Sequence, residues 1–126
     1  MGNEMFEKGL KMRKAVLGAE FVEKSLAAAD DFNMPLQELV TEYCWGAVWS
    51  RDTLPLKTRS MLNLAMISTL NRPHELKMHV KGALRNGVSK DEIREVLLQV
   101  AIYAGVPAAV DSFRIAREGI DEFEAE

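Results

Sequence analysis

Apolar residues recur along this chain at spacings of three and four, and strict alternation of apolar and polar positions never lasts. That pattern predicts helices and no strands. Leu, Ala, Met, Glu, Lys and Arg, all good helix formers, dominate, while β-branched residues are scattered. Glycines and prolines cut the chain into about seven pieces. The expected class is therefore all-α, about seven helices in a compact helical bundle, as a single domain over residues 1–126.

The first piece, residues 4–16, is charged and ends at Gly18; the second, 19–31, is alanine-rich and ends before Pro35. The third, about 35–49, carries Leu36, Leu39, Val40, Tyr43, Ala47 and Val48 as a broad apolar stripe and places Trp45 and Trp49 one turn apart. A turn, Ser50-Arg51-Asp52-Thr53-Leu54-Pro55, follows. The fourth piece, about 57–70, has Met61, Leu62, Leu64, Ala65, Met66, Ile67 and Leu70 and little polar face, which predicts a central, buried helix. Asn71-Arg72-Pro73 breaks it and opens the fifth, since proline is tolerated in a first turn; that helix runs to Asn86, with Gly87 as a left-handed cap. Ser89 and Glu92 form a capping box for the sixth, whose apolar face is Ile93, Val96, Leu97, Val100 and Ala101. Tyr103-Ala104-Gly105-Val106-Pro107 ends it and restarts the chain as a seventh helix to about Phe123.

Composition narrows the function. With 126 residues, the chain buries roughly two-thirds of its unfolded surface, enough for a core without staples. Its one cysteine, Cys44, excludes an intrachain disulfide and a cysteine-only metal cluster. A net charge of -3 with interspersed signs shows no basic patch for nucleic acid or an anionic membrane. No run reaches the roughly 18 apolar residues of a membrane span, and the charged start lacks a signal-peptide stretch. A cytoplasmic protein is the expectation.

Two histidines focus the search for chemistry. His79 lies beside Val80, three residues after Leu76 and four before Ala83, at the border of an apolar stripe; Glu75 sits one turn earlier, and Arg72 falls on the same edge if the helix extends back to it. A carboxylate-held imidazole of near-neutral pKa suits general acid–base work, and the same pattern also describes a core-edge histidine with a helical partner. His74 has no apolar neighbours in register and is expected at the surface. Arg51 and Arg59 flank the turn towards which Trp45 and Trp49 project. They suit bidentate capture of a carboxylate, or are ordinary surface arginines. No Gly-x-Ser-x-Gly elbow, phosphate loop, His-x-x-x-His or Cys-x-x-Cys occurs, so no metal site is expected. Cys44 reads as a small buried hydrophobe rather than a nucleophile.

Several segments in order carry a resemblance. Met12-Arg13-Lys14-Ala15-Val16-Leu17-Gly18, Tyr43-Cys44-Trp45-Gly46-Ala47-Val48-Trp49-Ser50-Arg51, Lys57-Thr58-Arg59-Ser60, Glu75-Leu76-Lys77-Met78-His79, Asn86-Gly87-Val88, Glu92-Ile93 and Tyr103-Ala104-Gly105-Val106-Pro107 together resemble the carboxymuconolactone decarboxylase family, of alkylhydroperoxidase D-like fold. The family's peroxidase branch uses Cys-x-x-Cys followed after three residues by His; counting back from His79, those positions are Arg72 and Glu75, and that branch's proton-relay glutamate falls near Ser60. A disulfide cycle cannot run without thiols, so the resemblance is to the decarboxylase branch. It implies cofactor-free loss of carbon dioxide from γ-carboxymuconolactone, giving 3-oxoadipate enol-lactone in the β-ketoadipate route. His79 and Glu75 are the implied catalytic pair, with His79 as an imidazolium. Arg51, Arg59 and Arg72 are implied for the carboxylates, Tyr103 for a second hydrogen bond, and Trp45 and Trp49 for the pocket wall. The alternative is a relative acting on or binding another small carboxylated lactone or aromatic acid, without thiol peroxidase activity. The family also implies a homo-oligomer, a trimer or hexamer.

Overall fold

The computed structural model describes residues 2–126, and every regular element among them is helical, as the apolar spacing predicts. The chain divides into two compact units, Met1–Pro55 and Leu56–Glu126. None of the described helices is long and apolar enough to cross a membrane.

The first unit holds α1 (Gly2–Leu17), α2 (Ala19–Ala27), α3 (Met34–Leu39) and a π-helix (Val40–Trp49). Gly18, at φ 97°, makes the joint between α1 and α2. The second helix stops at Ala27 rather than continuing to 31, because Asp30 and Asn33 close a turn on each other. Asp30 Oδ1 accepts from the Phe32 and Asn33 amides, at 3.0 and 3.2 Å, and Asn33 Oδ1 accepts from the Asp30 amide at 2.8 Å. Such side-chain bonds offer the backbone an alternative to helix.

The expected third helix is likewise two elements. Beyond Leu39 the hydrogen bonding widens to the π register, and the buried residues Thr41, Trp45, Gly46 and Trp49 recur at intervals of four to five. Ten residues of π-helix is long for a form usually met as a single-turn bulge. Its face is shaped for α1. A Cβ placed on Gly9 would run into the Thr41 carbonyl oxygen and come within 2.8 Å of the Gly46 amide nitrogen, so only glycine permits this approach. Gly9, Arg13, Val16 and Leu17 form the buried stripe of α1.

The second unit contains α4 (Leu56–Leu70), α5 (Pro73–Arg85), α6 (Lys90–Tyr103) and α7 (Val106–Ala125). Leu64, Leu76, Val80, Ala83, Val88, Ile93, Leu97, Ile115 and Ala116 form its core. The turns follow the expected chemistry: Gly87 at φ 90°, Ser89 and Glu92 as a capping box, and Gly105 at φ 118°. Asn71, at φ 59°, ends α4 in the left-handed region that asparagine tolerates. One expectation fails. α4 is not enclosed: Ser60, Leu64 and Ser68 face inward, while Leu62, Met66 and Leu70, at i, i+4 and i+8, form an exposed apolar stripe. An all-round apolar sequence shows that both faces avoid water without saying what covers each one.

On the outside, Lys77, Lys81 and Arg85 of α5 run alongside Glu118 and Glu122 of α7 and Glu126 just after it. Hydrogen bonds from Lys77 and Lys81, each 2.8 Å from a Glu122 oxygen, hold that carboxyl down at about 2. The pairs are exposed, so they align the two helices more than they stabilise them.

Gly9→Ala should lower stability by about 1–3 kcal/mol, despite alanine's better helix propensity, because the added methyl meets backbone rather than a flexible side chain. The measurement is the urea midpoint; a value at or above that of the wild type would contradict so close a contact between α1 and the π-helix.

Candidate active site

Helix α5 sets its two histidines in opposite surroundings. His74, in the first turn, is exposed as the pattern predicts. His79 is partly buried at the edge of the stripe formed by Leu76, Val80 and Ala83. Burial pushes its pKa down to about 4, and the charge of Glu75, one turn earlier, opposes this without restoring it. An imidazolium of near-neutral pKa is therefore not what the fold provides. At pH 7 the ring is uncharged, because an exposed carboxylate is well screened by water and cannot offset the desolvation of a cation.

One group at the ring comes from another helix. Asn63 of α4 places Nδ2 3.4 Å from His79 Nδ1. An amide nitrogen only donates, so this contact makes Nδ1 the acceptor and leaves the ring proton on Nε2. The tautomer follows from the assignment of the amide as Nδ2 towards the ring. His79 is thus a neutral N–H donor on a rigid helix.

The other candidates of this unit sit on α4, at the start of α5 and at the end of α6. Arg59 is partly buried in the first turn of α4. Arg72 caps α5, and its Nη1 donates to the carbonyls of Leu70 and Asn71 at 3.1 and 3.2 Å, folding the guanidinium over the end of α4. Tyr103, 85% exposed at the end of α6, lines an apolar groove of about 740 Å³ together with Thr58, Met61, Leu62, Val96 and Val100. His79 does not line this groove, which is nearly devoid of ionisable groups.

In the first unit Trp45 and Trp49 stack, with centroids 4.8 Å apart and planes inclined by 29°, and both are almost fully buried. The π-helix brings them face to face and into the core, so they form a rigid apolar wall rather than an open surface. Ser50 Oγ donates to the Trp45 carbonyl at 2.8 Å and secures the end of that helix, after which Arg51 stands exposed in the turn. Cys44 departs from expectation: its side chain is exposed. Partial desolvation raises the thiol's pKa, and the charge of Arg13 works against that rise.

Two residues escaped the sequence reading. Asn63 could not have been found, since it is 16 positions from His79 and meets it only by the packing of α4 on α5. Arg13 left a signal: it falls inside the stripe of Gly9, Val16 and Leu17, where a charge is out of place.

An all-helical chain with a partly buried, uncharged histidine and no thiols at positions 72 and 75 stands apart from the thiol-dependent enzymes of this fold. The model of the carboxymuconolactone decarboxylase family matches residues 35–118, and the chain belongs to that family. It is 42% identical over 118 residues to nitrosuccinic acid decarboxylase of Metarhizium robertsii, covering 94% of this chain and 82% of that protein. It is 40% identical over 115 residues to 4-carboxymuconolactone decarboxylase of Acinetobacter baylyi, covering 91% of this chain and 86% of that protein.

The state of His79 has a measurable consequence. Its pKa is about 4 when folded against 6.5 when free, so the unfolded chain takes up the proton first as pH falls. The corresponding stability is complete above pH 6.5 and is lost progressively towards pH 4, by at most about 1.4 kcal/mol per pH unit. Urea unfolding at several pH values should show this slope in the wild type and a shallower one in His79→Gln. Equal slopes would mean that the ring is not desolvated.

Proposed function

We propose that this chain is a cofactor-independent carboxy-lyase that converts γ-carboxymuconolactone to 3-oxoadipate enol-lactone and carbon dioxide, in the cytoplasmic β-ketoadipate route of aromatic catabolism. The observation that carries the reading is His79, an uncharged, partly buried donor, in a chain 40% identical to a protein named 4-carboxymuconolactone decarboxylase.

The chemistry asks for such a group. When the bond to the departing carboxylate breaks, its electron pair stays on carbon, passes into the unsaturated lactone and comes to rest on oxygen. A preset N–H aimed at that oxygen stabilises the charge as it develops, and protonation at carbon completes the reaction with no external electron acceptor. A neutral imidazole serves this role without a standing positive charge that would bind substrate and transition state alike. In this reading Glu75 biases His79 through its charge, and Arg59, Arg51 and Arg72 are the candidates for the retained carboxylate. Tyr103 supplies a second hydrogen bond, and Trp45 and Trp49 exclude water.

The relative named for nitrosuccinic acid favours a second reading, in which the substrate is a small nitro acid rather than a lactone. A nitro group is also an electron sink whose charge ends on oxygen, so the same donor would serve.

The proposal includes a homo-oligomer, a trimer or hexamer. Its support is the exposed stripe of Leu62, Met66 and Leu70, continued by the apolar groove that Leu62 enters. It also includes a single functional domain over residues 1–126, supported by a family match over residues 35–118 that is unbroken at the Pro55–Leu56 boundary of the two units.

Purified protein should release carbon dioxide from γ-carboxymuconolactone faster than from nitrosuccinate; the reverse order establishes the second reading, and turnover of neither overturns both. His79→Gln should lower kcat by about 10²–10³-fold with little change in KM, and near-normal kcat would remove His79 from the mechanism. Met66→Glu should shift sedimentation to smaller species, whereas an unchanged mass would place the interface elsewhere.

A further inference from the structure

Arg13 is only 7% exposed, yet among the described residues no carboxylate lies within ion-pair distance of it. Its Nη1 is fully engaged, donating to Gln37 Oε1 at 2.9 Å and to Thr41 Oγ1 at 3.2 Å. Both acceptors are neutral. Its Nε is buried with no acceptor at all. Buried charges are normally paired, and burial is already depressing the guanidinium's pKa.

A purely structural clamp would need only the two bonds made by Nη1, which a neutral side chain also makes. The geometry leaves over one edge of the guanidinium, Nε and Nη2, whose parallel N–H groups match the two oxygens of a carboxylate. Gln37 and Thr41 hold the guanidinium plane from the opposite side, so that edge is oriented before anything binds. We propose that Arg13 is the receptor of a carboxylate-binding site in the first unit, its ligand a small carboxylic acid neutralising the buried guanidinium. The ligand class rests on the proposed function; the site itself rests on Arg13.

The chain carries its own reporter. Cys44 is the sole cysteine, is exposed, and is coupled electrostatically to Arg13. A carboxylate bound at Arg13 cancels the charge that favours the thiolate, and so slows alkylation at a pH below the thiol's pKa. The test follows iodoacetamide labelling of the intact protein during titration with succinate, with uncharged succinamide as the control. Succinate should slow labelling saturably, by at least about fivefold, and succinamide should not. Arg13→Gln should weaken the succinate effect by about 10- to 100-fold, and Arg13→Lys, which keeps the charge and loses the fork, by less. Absence of any succinate effect on the wild type, or an equal effect in Arg13→Gln, overturns the site; the wild-type comparison decides even if both variants misfold. Turnover of γ-carboxymuconolactone is scored separately. Slowing without turnover leaves the site and removes the proposed substrate, and turnover without slowing does the opposite.

Discussion

The charge state of His79 depends on one act of desolvation. Leu76, Val80 and Ala83 turn one face of α5 into the core with Leu64, Ile93 and Leu97, each large aliphatic side chain contributing about 1.5–3 kcal/mol of burial. His79 borders that face and is taken partly out of water with it. The same packing that holds the unit together therefore decides that the imidazole is uncharged. It also brings Asn63 of α4 to the ring.

A different balance governs the first unit. There α1 approaches the π-helix so closely that glycine is required at position 9, and the contact carries a guanidinium inward with it. Neutral hydrogen bonds orient Arg13 without cancelling its charge. Arg13 and His79 are thus each kept in surroundings that disfavour the charged form, and each is met by a side chain from a neighbouring helix. Perturbed groups of this kind cluster where proteins bind and react.

Much of the scaffold was legible because its signals are local. Gly18, Asn71, Gly87 and Gly105 sit at helix boundaries where the backbone has positive φ, and the Ser89–Glu92 box acts within four residues. The end of α2 was misplaced because the reciprocal Asp30–Asn33 turn competes with helix on nearly equal terms. The π-helix was invisible: α and π spacings differ by less than one residue per turn, so the stripe containing Trp45 and Trp49 serves either. The uniform apolarity of α4 was correctly seen and wrongly placed, since the buried Leu64 and the exposed Met66 are chemically alike.

For the candidate site, the sequence by itself supplied most of the candidates. The motifs around Trp45, His79 and Tyr103 marked the family, and the absence of thiols at positions 72 and 75 separated two chemistries that share its fold. Which residues exist, and how they space along one helix, are properties of the chain. Only the tertiary structure decided their state: that His79 is neutral, that Asn63 of α4 meets its ring, that the tryptophans stack inside the core, and that Arg13 is buried without a countercharge. The physical reason is common to all four. Charge state and hydrogen-bond partner depend on water excluded by residues far away in sequence, and no local pattern records that exclusion.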